Sequence, residues 1–372
     1  VAIIDDGIQF NHPDLAANMW QNASGHFGYN FVNNTSTISP GNHGTHVAGT
    51  VAAVTNNNVG VAGVAGGSGS GDGVRLMSCQ VFTSNSSRGF HLAPIWAADN
   101  GAAISQNSWG YINPNVYDPA VLDAIDYFNE NGGGDVMNGG ITIFAAGNDN
   151  DSGNWYPGYY PGAMSVSATN NQDQKAWYSN YGSWIDLSAP GGETSYQNDP
   201  KGVLSTLTGN SYGFYQGTSM ACPHVSGVAA LLLSRAYRQN FILDNEDLWD
   251  LLVDNVDDHY AQNPGFLNEL GSGRLNANLA LIGLEGMLTG LINPSNFNAL
   301  PVSTNQIDLE WTNNPNDHDV MLVYTPDGNF GTPLDGTVYG VGNTISGGGI
   351  VLHRGAGTSF NHTFFILVGG LE

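Results

Sequence analysis

Basic residues are scarce in this chain: 8 lysines and arginines stand against 32 aspartates and glutamates, for a formal net charge of −24. Proteins that bind nucleic acids or anionic membranes use lysine and arginine to neutralise phosphate groups. The composition therefore argues against a nucleic-acid partner and against a membrane partner. It favours a soluble protein whose copies repel one another, and we expect a monomer.

Cysteine is equally scarce, since the chain has two cysteines, Cys79 and Cys222. Two cysteines exclude a disulfide scaffold and a cysteine-based metal cluster, but they leave open either two buried thiols or a single bridge. Runs of 18 apolar residues are missing as well, so no membrane-spanning helix is expected. With 372 residues and 41% hydrophobic residues, the chain suffices for one large domain and a smaller one.

Up to about residue 283, short apolar runs alternate with helical stretches. Residues 1–5 are typical of a buried strand, whereas residues 43–53 and 219–239 are typical of helices. This alternation predicts an α/β fold with three layers, in which helices cover both faces of a doubly wound, mainly parallel sheet. In such folds the active residues lie at the carboxyl ends of strands or at the starts of the following helices.

From about residue 284 the pattern changes. Residues 284–300 read as a linker, and residues 301–372 contain strand-like runs separated by Gly and Asn turns. We expect a small all-β module that resembles a fibronectin-type-III-like sandwich. Such a sandwich needs about seven strands over roughly 100 residues, so we expect this one to be incomplete.

Three short segments carry the chemistry: VAIIDDG at residues 1–7, HGTHVAGT at residues 43–50 and GTSMA at residues 217–221. A serine hydroxyl becomes a good nucleophile when an imidazole takes its proton and a carboxylate orients that imidazole. The chain order Asp, His, Ser is the order of subtilisin and differs from those of chymotrypsin and the α/β-hydrolases. Residues 1–283 resemble the subtilisin-like serine proteases, or subtilases.

The resemblance implies a serine endopeptidase that cleaves peptide bonds through an acyl-enzyme. Asp5, which ends the first strand, matches the catalytic acid, and we expect the neighbouring Asp6 to be a turn residue. His43 matches the general base and Ser219 the nucleophile. Asn148, in the segment IFAAGN at residues 143–148, matches the side-chain donor of the oxyanion hole.

Two further histidines are expected to be structural. His46 lies three residues after His43 and is interpreted as a packing residue, and His224 is a weaker rival for the role of base. Pro223 is tolerated in the first turn of a helix. We therefore expect that helix to begin near Ser219, with the nucleophile and its backbone N–H at the positive end of the helix dipole.

Two stretches resemble the walls of the subtilase substrate cleft. The first pairs with the substrate backbone as an added strand, and the second forms the pocket for the residue before the cleaved bond. The first wall is Ser108, Trp109 and Gly110, and the second is Ala145, Ala146 and Gly147. Neither wall carries an acid, which favours large apolar or aromatic substrate residues in that pocket. The alternative that Asp149 and Asp151 form an acidic rim of the pocket stays open.

A structural calcium ion is the cofactor that the resemblance implies, because Ca²⁺ prefers hard oxygen ligands. Asp14, Asn57, Val59 and Val61 match one subtilase calcium site, in a loop that is one residue longer than usual. The resemblance also implies secretion, polypeptide substrates and a propeptide in the precursor, and we expect a segment upstream of residue 1. Two rival functions stay open: a catalytically silent binding protein with this fold, and a different acyl-transfer enzyme.

Overall fold

The computed structural model describes residues 1–288, 295–303, 306–312, 320–325, 330–331, 339–355 and 358–363. The chain divides into two units, Val1–Leu284 and Glu285–Glu372. The helices are α1 (Asn42–Ala52), α2 (Leu92–Asp99), α3 (Pro119–Asn131), α4 (Thr218–Arg238), α5 (Asn245–Val253) and α6 (Ala277–Leu288), with a 3₁₀ turn at Ala16–Asn18.

The strands of the first unit alternate with these helices, as the sequence predicts. They are β1 (Ala2–Asp5), β2 (Gly28–Asn30), β3 (Met77–Gln80), β4 (Ile104–Asn107), β5 (Met137–Asn138), β6 (Ile141–Ala145), β7 (Met164–Thr169), β8 (Leu187–Pro190), β9 (Val203–Leu207), β10 (Ser211–Tyr215), β11 (Leu243–Asp244), β12 (Val256–Asp257) and β13 (Arg274–Leu275).

Nine of these strands form one central sheet in the order β12-β13-β8-β7-β6-β4-β1-β3-β2. Every neighbouring pair is parallel except β12 and β13. Ile4 on β1 lies opposite Cys79 on β3 and Asn107 on β4. Parallel strands end at the same edge of a sheet, so the residues that follow β1, β4 and β6 come together there. The mainly parallel α/β fold that the sequence predicts is confirmed.

Helices cover both faces of this sheet. Ala2 and Ile4 belong to one apolar cluster with residues of α2 and α3. Ile3, which points the other way, belongs to a second cluster with residues of α1 and with Met220 at the start of α4. Alternate residues of one strand therefore enter two separate cores, as expected of a strand buried on both faces.

The two cysteines lie in different places. Cys79 is buried in the cluster with α2 and α3, whereas Cys222 is buried on α4, near Gln106 of β4. Both are free thiols. Of the two states that the sequence leaves open, the structure therefore has two buried thiols and no bridge between them.

Strands β9 and β10 form an antiparallel hairpin. The sequence pattern predicts a strand at residues 203–206, which corresponds to β9, but it predicts no strand at β10. The hairpin packs on α1 at Gly49. A Cβ atom at that position would lie 2.3 Å from Thr206 Oγ1. A glycine is thus needed for the close approach of helix and hairpin. The sequence pattern also predicts a strand at residues 184–187, and this prediction is misplaced, because Ile185 N–H donates to Gly182 in a turn and β8 begins at Leu187.

The start of α4 agrees with expectation, but the reasoning from Pro223 needs a correction. Pro223 is the sixth residue of the helix and not part of its first turn. It has no N–H to donate to the carbonyl of Ser219, four residues earlier. The hydroxyl of Ser108 donates to that carbonyl instead, at 2.8 Å. A contact from another element therefore permits a proline inside this helix.

The second unit contains small antiparallel sheets. Its strands are β14 (Ser295–Ser303), β15 (Gln306–Thr312), β16 (Val320–Tyr324), β17 (Ile350–Gly355) and β18 (Ser359–Thr363). One sheet has the order β14-β15-β18, and β16 pairs with β17. Residues 289–294 of the predicted linker lie outside the described residues, and the fibronectin-type-III-like identity of the module stays a prediction. Among the described residues, no helix is both long and apolar enough to cross a membrane.

Candidate active site

The acid and the base of the sequence analysis are hydrogen-bonded to each other. Asp5 ends β1 and is 1% exposed, and His43 is the second residue of α1. The Nδ1 of His43 lies 2.8 Å from Asp5 Oδ1 and 3.0 Å from Oδ2. The backbone N–H of Asp6 donates to Asp5 Oδ1 at 2.7 Å. The carboxylate is thus held on one side by the backbone, and it faces the imidazole on the other.

This pairing raises the pKa of His43 to about 9. Burial alone would lower the pKa, because it disfavours the charged imidazolium. The charge of Asp5, its hydrogen bond and the charge of Asp6 outweigh burial. The His43 side chain is 37% exposed, so the ring is not closed off from solvent on all sides. The pair therefore has the arrangement of a base that is oriented and made more basic by a carboxylate.

Ser219 is the second residue of α4, where unpaired backbone N–H groups and the helix dipole favour negative charge. Its Oγ donates to the backbone carbonyl of Ser108 at 3.1 Å. Within the described part of the chain, no hydrogen bond joins Ser219 Oγ to His43. Such contacts are often long or absent in a free enzyme and form when substrate binds.

Asn148 follows β6 and lies beside the start of α4. Its side-chain Oδ1 accepts from the backbone N–H of Thr218 at 2.9 Å and from the Thr218 hydroxyl at 3.0 Å. Among the described residues Asn148 Nδ2 donates no hydrogen bond, so this group is available as a donor while Thr218 holds the oxygen. The Thr218 hydroxyl also accepts from Gly147 N–H at 3.1 Å, which fixes the turn before Asn148.

The two predicted walls lie at the same edge of the sheet, after β4 and at the end of β6. Ser108 and Trp109 are largely buried, and Gly110 is exposed. The Trp109 ring packs on Phe90 and Phe144, so its side chain belongs to the apolar core. Ala145 and Ala146 are buried, and Gly147 is half-buried.

The second wall is braced by a residue that the sequence analysis misses. Asn180 is buried, its Nδ2 donates to Ala146 O at 3.0 Å, and its Oδ1 accepts from Asp149 N–H at 2.8 Å. Asp151 Oδ1 accepts a hydrogen bond from the Trp155 indole N–H at 2.8 Å, so its carboxylate stabilises the loop of residues 151–155. No local pattern marks Asn180, because its contacts reach back about thirty residues.

The other two histidines of these segments have different surroundings. His46 Nε2 lies 2.9 Å from Val203 O, and its ring stacks on Tyr215. Burial lowers the pKa of His46 to about 4, despite the hydrogen bonds. His224 Nδ1 lies 2.8 Å from Met220 O in its own helix. Only His43 of the three faces a carboxylate side chain.

The predicted cation ligands are brought together. Asp14 is fully buried; its oxygens accept from Asn57 Nδ2 at 2.7 Å and from Val61 N–H at 2.9 Å. Asn57 Oδ1 accepts from Val59 N–H at 2.9 Å. Among the described residues, no cationic side chain pairs with Asp14, and no three His, Cys, Asp or Glu side chains cluster. The Asp14 carboxylate and the Asn57 amide oxygen are hard donors of the kind that Ca²⁺ prefers, and in this structure both accept hydrogen bonds from N–H groups of the same loop.

A paired acid and base on β1 and α1, with a serine at the start of α4, define the class of subtilisin-like serine proteases. The model of the subtilase family matches residues 1–273. The chain belongs to the subtilase family.

Thermitase from Thermoactinomyces vulgaris is 38% identical over 241 residues, which are 63% of this chain and 75% of that protein. The thermophilic serine proteinase of Bacillus sp. (strain AK1) is 36% identical over 240 residues, which are 63% of this chain and 52% of that protein. The chain thus spans only about half the length of the Bacillus relative.

Solved structures show the same fold. A protease from Pseudoalteromonas arctica is 31% identical, with a TM-score of 0.61 over 76% of this chain and 89% of that one. A cold adapted subtilisin-like serine proteinase is 30% identical, with a TM-score of 0.54 over 69% of this chain and 81% of that one.

Proposed function

We propose that this protein is a serine endopeptidase that hydrolyses peptide bonds of polypeptides through an acyl-enzyme. The observation that carries the proposal is the hydrogen bond between His43 Nδ1 and the Asp5 carboxylate, at 2.8 Å. With Nδ1–H donated to Asp5, Nε2 is the ring atom that accepts a proton in the neutral imidazole, which predominates at alkaline pH because the pKa of His43 is raised to about 9. Ser219 of α4 lies at the edge of the sheet where β4 ends, since its hydroxyl donates to the carbonyl of Ser108.

In the first half of the reaction, Ser219 Oγ attacks the carbonyl carbon of the substrate while its proton passes to His43 Nε2. Collapse of the tetrahedral intermediate breaks the C–N bond, and His43 returns the proton to the leaving amine. In the second half, water attacks the carbonyl carbon of the acyl-enzyme ester while its proton passes to His43 Nε2. Collapse of the second tetrahedral intermediate breaks the bond between that carbon and Ser219 Oγ, and His43 returns the proton to Oγ, so the acid product and free Ser219 are formed. Asp5 stays ionised throughout and stabilises the imidazolium.

The oxyanion of each tetrahedral intermediate accepts hydrogen bonds from two donors in this proposal. One is the backbone N–H of Ser219 at the start of α4, and the other is Nδ2 of Asn148. Thr218 supports the second donor because it binds Asn148 Oδ1 through two hydrogen bonds. The donor is therefore oriented before substrate arrives, which is what electrostatic stabilisation of a transition state requires.

The substrate extends along the wall 108–110 as an added strand, and the residue before the cleaved bond enters the pocket beside residues 145–147. Neither wall carries an acid, and the Asp151 carboxylate is occupied by Trp155 and Gly153. We infer a preference for large apolar or aromatic residues in that pocket.

Ca²⁺ is proposed as a structural ion. The Asp14 carboxylate, the Asn57 side-chain oxygen and the carbonyls of Val59 and Val61 would hold it. The ion would supply the positive charge that the buried Asp14 lacks. Secretion, a propeptide in the precursor, a monomeric state and a fibronectin-type-III-like module are further proposals, which rest on the family and on the charge.

The test is hydrolysis of casein and of a tetrapeptide p-nitroanilide with Phe before the cleaved bond. We expect the protein to release peptides and nitroaniline, and Ser219→Ala to lower the rate by several orders of magnitude. A folded protein with no activity on either substrate would favour the silent binding protein. Hydrolysis of p-nitrophenyl esters without any cleavage of amides would favour a different acyl-transfer enzyme.

A further inference from the structure

Asp6, which the sequence analysis interprets as a turn residue, contacts α1, the helix that carries His43. Its Oδ1 accepts from Gly44 N–H at 2.6 Å, and its Oδ2 accepts from His43 N–H at 3.3 Å. These are the second and third residues of α1, whose own N-cap residue, Gly41, provides no side-chain cap. The carboxylate of Asp6 therefore satisfies two N–H groups that the first turn of a helix leaves unpaired.

The surroundings of Asp6 are built around this contact. A Cβ atom on Gly41 would lie 2.0 Å from the carboxylate carbon of Asp6, so only glycine leaves room for it. The backbone of Asp6 is fixed too, because its carbonyl accepts from Gln80 Nε2 at 3.0 Å and its N–H donates to Asp5 Oδ1 at 2.7 Å. One residue thus touches the proposed acid through its backbone and the helix of the proposed base through its side chain.

The charges around Asp6 come from three elements. Asp5 of β1 and His43 of α1 are its titratable neighbours on the side of the triad, and Tyr215 of β10 interacts with it from the hairpin. Among the described residues, no lysine or arginine forms an ion pair with Asp6. His43 and the N-terminus of α1 are therefore the positive partners of its carboxylate when His43 is protonated.

We propose that Asp6 is a positioning residue of the triad, which caps α1 to fix His43 against Asp5 and whose charge stabilises the imidazolium formed during catalysis. The proposal rests on the proposed function for its kinetic part only. It assigns two separable effects to Asp6: the cap acts through geometry, and the charge acts through the protonation equilibrium of His43. Burial and the charge of Asp5 raise the pKa of Asp6 to about 6, so at alkaline pH the carboxylate is ionised.

The test uses Asp6→Asn, Asp6→Ser and Asp6→Ala, each with and without Ser219→Ala. All three remove the charge. The serine hydroxyl and the asparagine oxygen can still accept one helix N–H, whereas alanine accepts none. Asp123→Asn, on the exposed face of α3, is the matched control for the loss of one charge. Circular dichroism and thermal melting establish that every variant is folded.

In the Ser219→Ala background, the imidazole of His43 is titrated by NMR. We expect its midpoint to fall by roughly half a pH unit in all three variants, and not in Asp123→Asn, because each loses the same charge. With Ser219 present, we expect kcat on the anilide to fall about tenfold in Asp6→Ala and less in the other two, with KM nearly unchanged. The acidic limb of kcat/KM should move in the same direction as the NMR midpoint.

The NMR titration does not require activity, so it keeps Asp6 testable even if the wild-type protein hydrolyses nothing and the proposed function fails. An unchanged His43 midpoint in all three folded variants would overturn the role of the charge. Equal kcat in the wild type and Asp6→Ala would overturn the cap. A change in KM alone would assign Asp6 to substrate contact instead, which also contradicts the proposal.

Discussion

Removing the charge of Asp5 tests the electrostatics of the acid–base pair. In Asp5→Asn the side chain keeps its size but loses its charge, while the burial that lowers the pKa of His43 is retained. The pKa of His43 is about 9 with Asp5 in place, and the ordinary value is 6.5. We therefore expect the midpoint of His43 to fall from about 9 to near or below 6.5, since the remaining charge of Asp6 is the smaller contribution.

The same change has a second consequence for the tautomer of His43. An asparagine can present an N–H to Nδ1, and the imidazole proton then lies on Nε2. A protonated Nε2 cannot accept the proton of Ser219. In a serine protease this substitution lowers kcat by about 10⁴. We expect a loss of that order on the p-nitroanilide substrate.

The assay combines an NMR titration of His43, assigned by its absence in His43→Ala, with kinetics across pH. Glu130→Gln removes one charge from the exposed surface of α3 and should alter neither result. A midpoint that stays near 9 in folded Asp5→Asn would mean that another group raises the pKa of His43. A loss of kcat below about tenfold would refute the orienting role of Asp5.

Three further predictions concern the rest of the site and the fold. Asn148→Ala should lower kcat by about 10²–10³ with little change in KM, and Thr218→Val, which removes one of the two bonds to Asn148 Oδ1, should give a smaller loss; steady-state kinetics measures both. EDTA should lower the melting temperature by on the order of 5 °C, and Asp14→Asn should abolish that dependence. Equal melting temperatures in calcium and in EDTA would contradict a bound ion. Cys79 and Cys222 should react with Ellman's reagent only after unfolding, because both are buried and burial raises the pKa of each thiol; two thiols titrated in the native protein would contradict the packing.

Much of the fold follows from local pattern. The alternation of strands and helices depends on the periodicity of apolar residues, which each segment carries by itself, so β1, α1 and α4 lie within a residue of their predicted ends. The predicted acid and base could be found because each lies inside a short segment whose neighbours are also distinctive. A signal of that kind needs no knowledge of distant contacts.

The missed features all depend on contacts between distant segments. The Asp6 cap joins residues 37 and 38 positions apart. The proline inside α4 is tolerated because Ser108, more than a hundred residues earlier, donates to the carbonyl that Pro223 leaves free. Asn180 braces the wall at Ala146 from 34 residues away. A sequence pattern cannot reveal which polar side chain will satisfy a backbone group on another element.

The central claim, that Ser219 is an activated nucleophile, is tested most directly by labelling with a fluorophosphonate and locating the adduct by peptide mass mapping. We expect one adduct, on Ser219, that is lost in Ser219→Ala and in His43→Ala and retained in Ser24→Ala, which removes an exposed serine outside the proposed triad and oxyanion hole. A folded protein that takes up no label, or that carries it on another serine, would contradict the account.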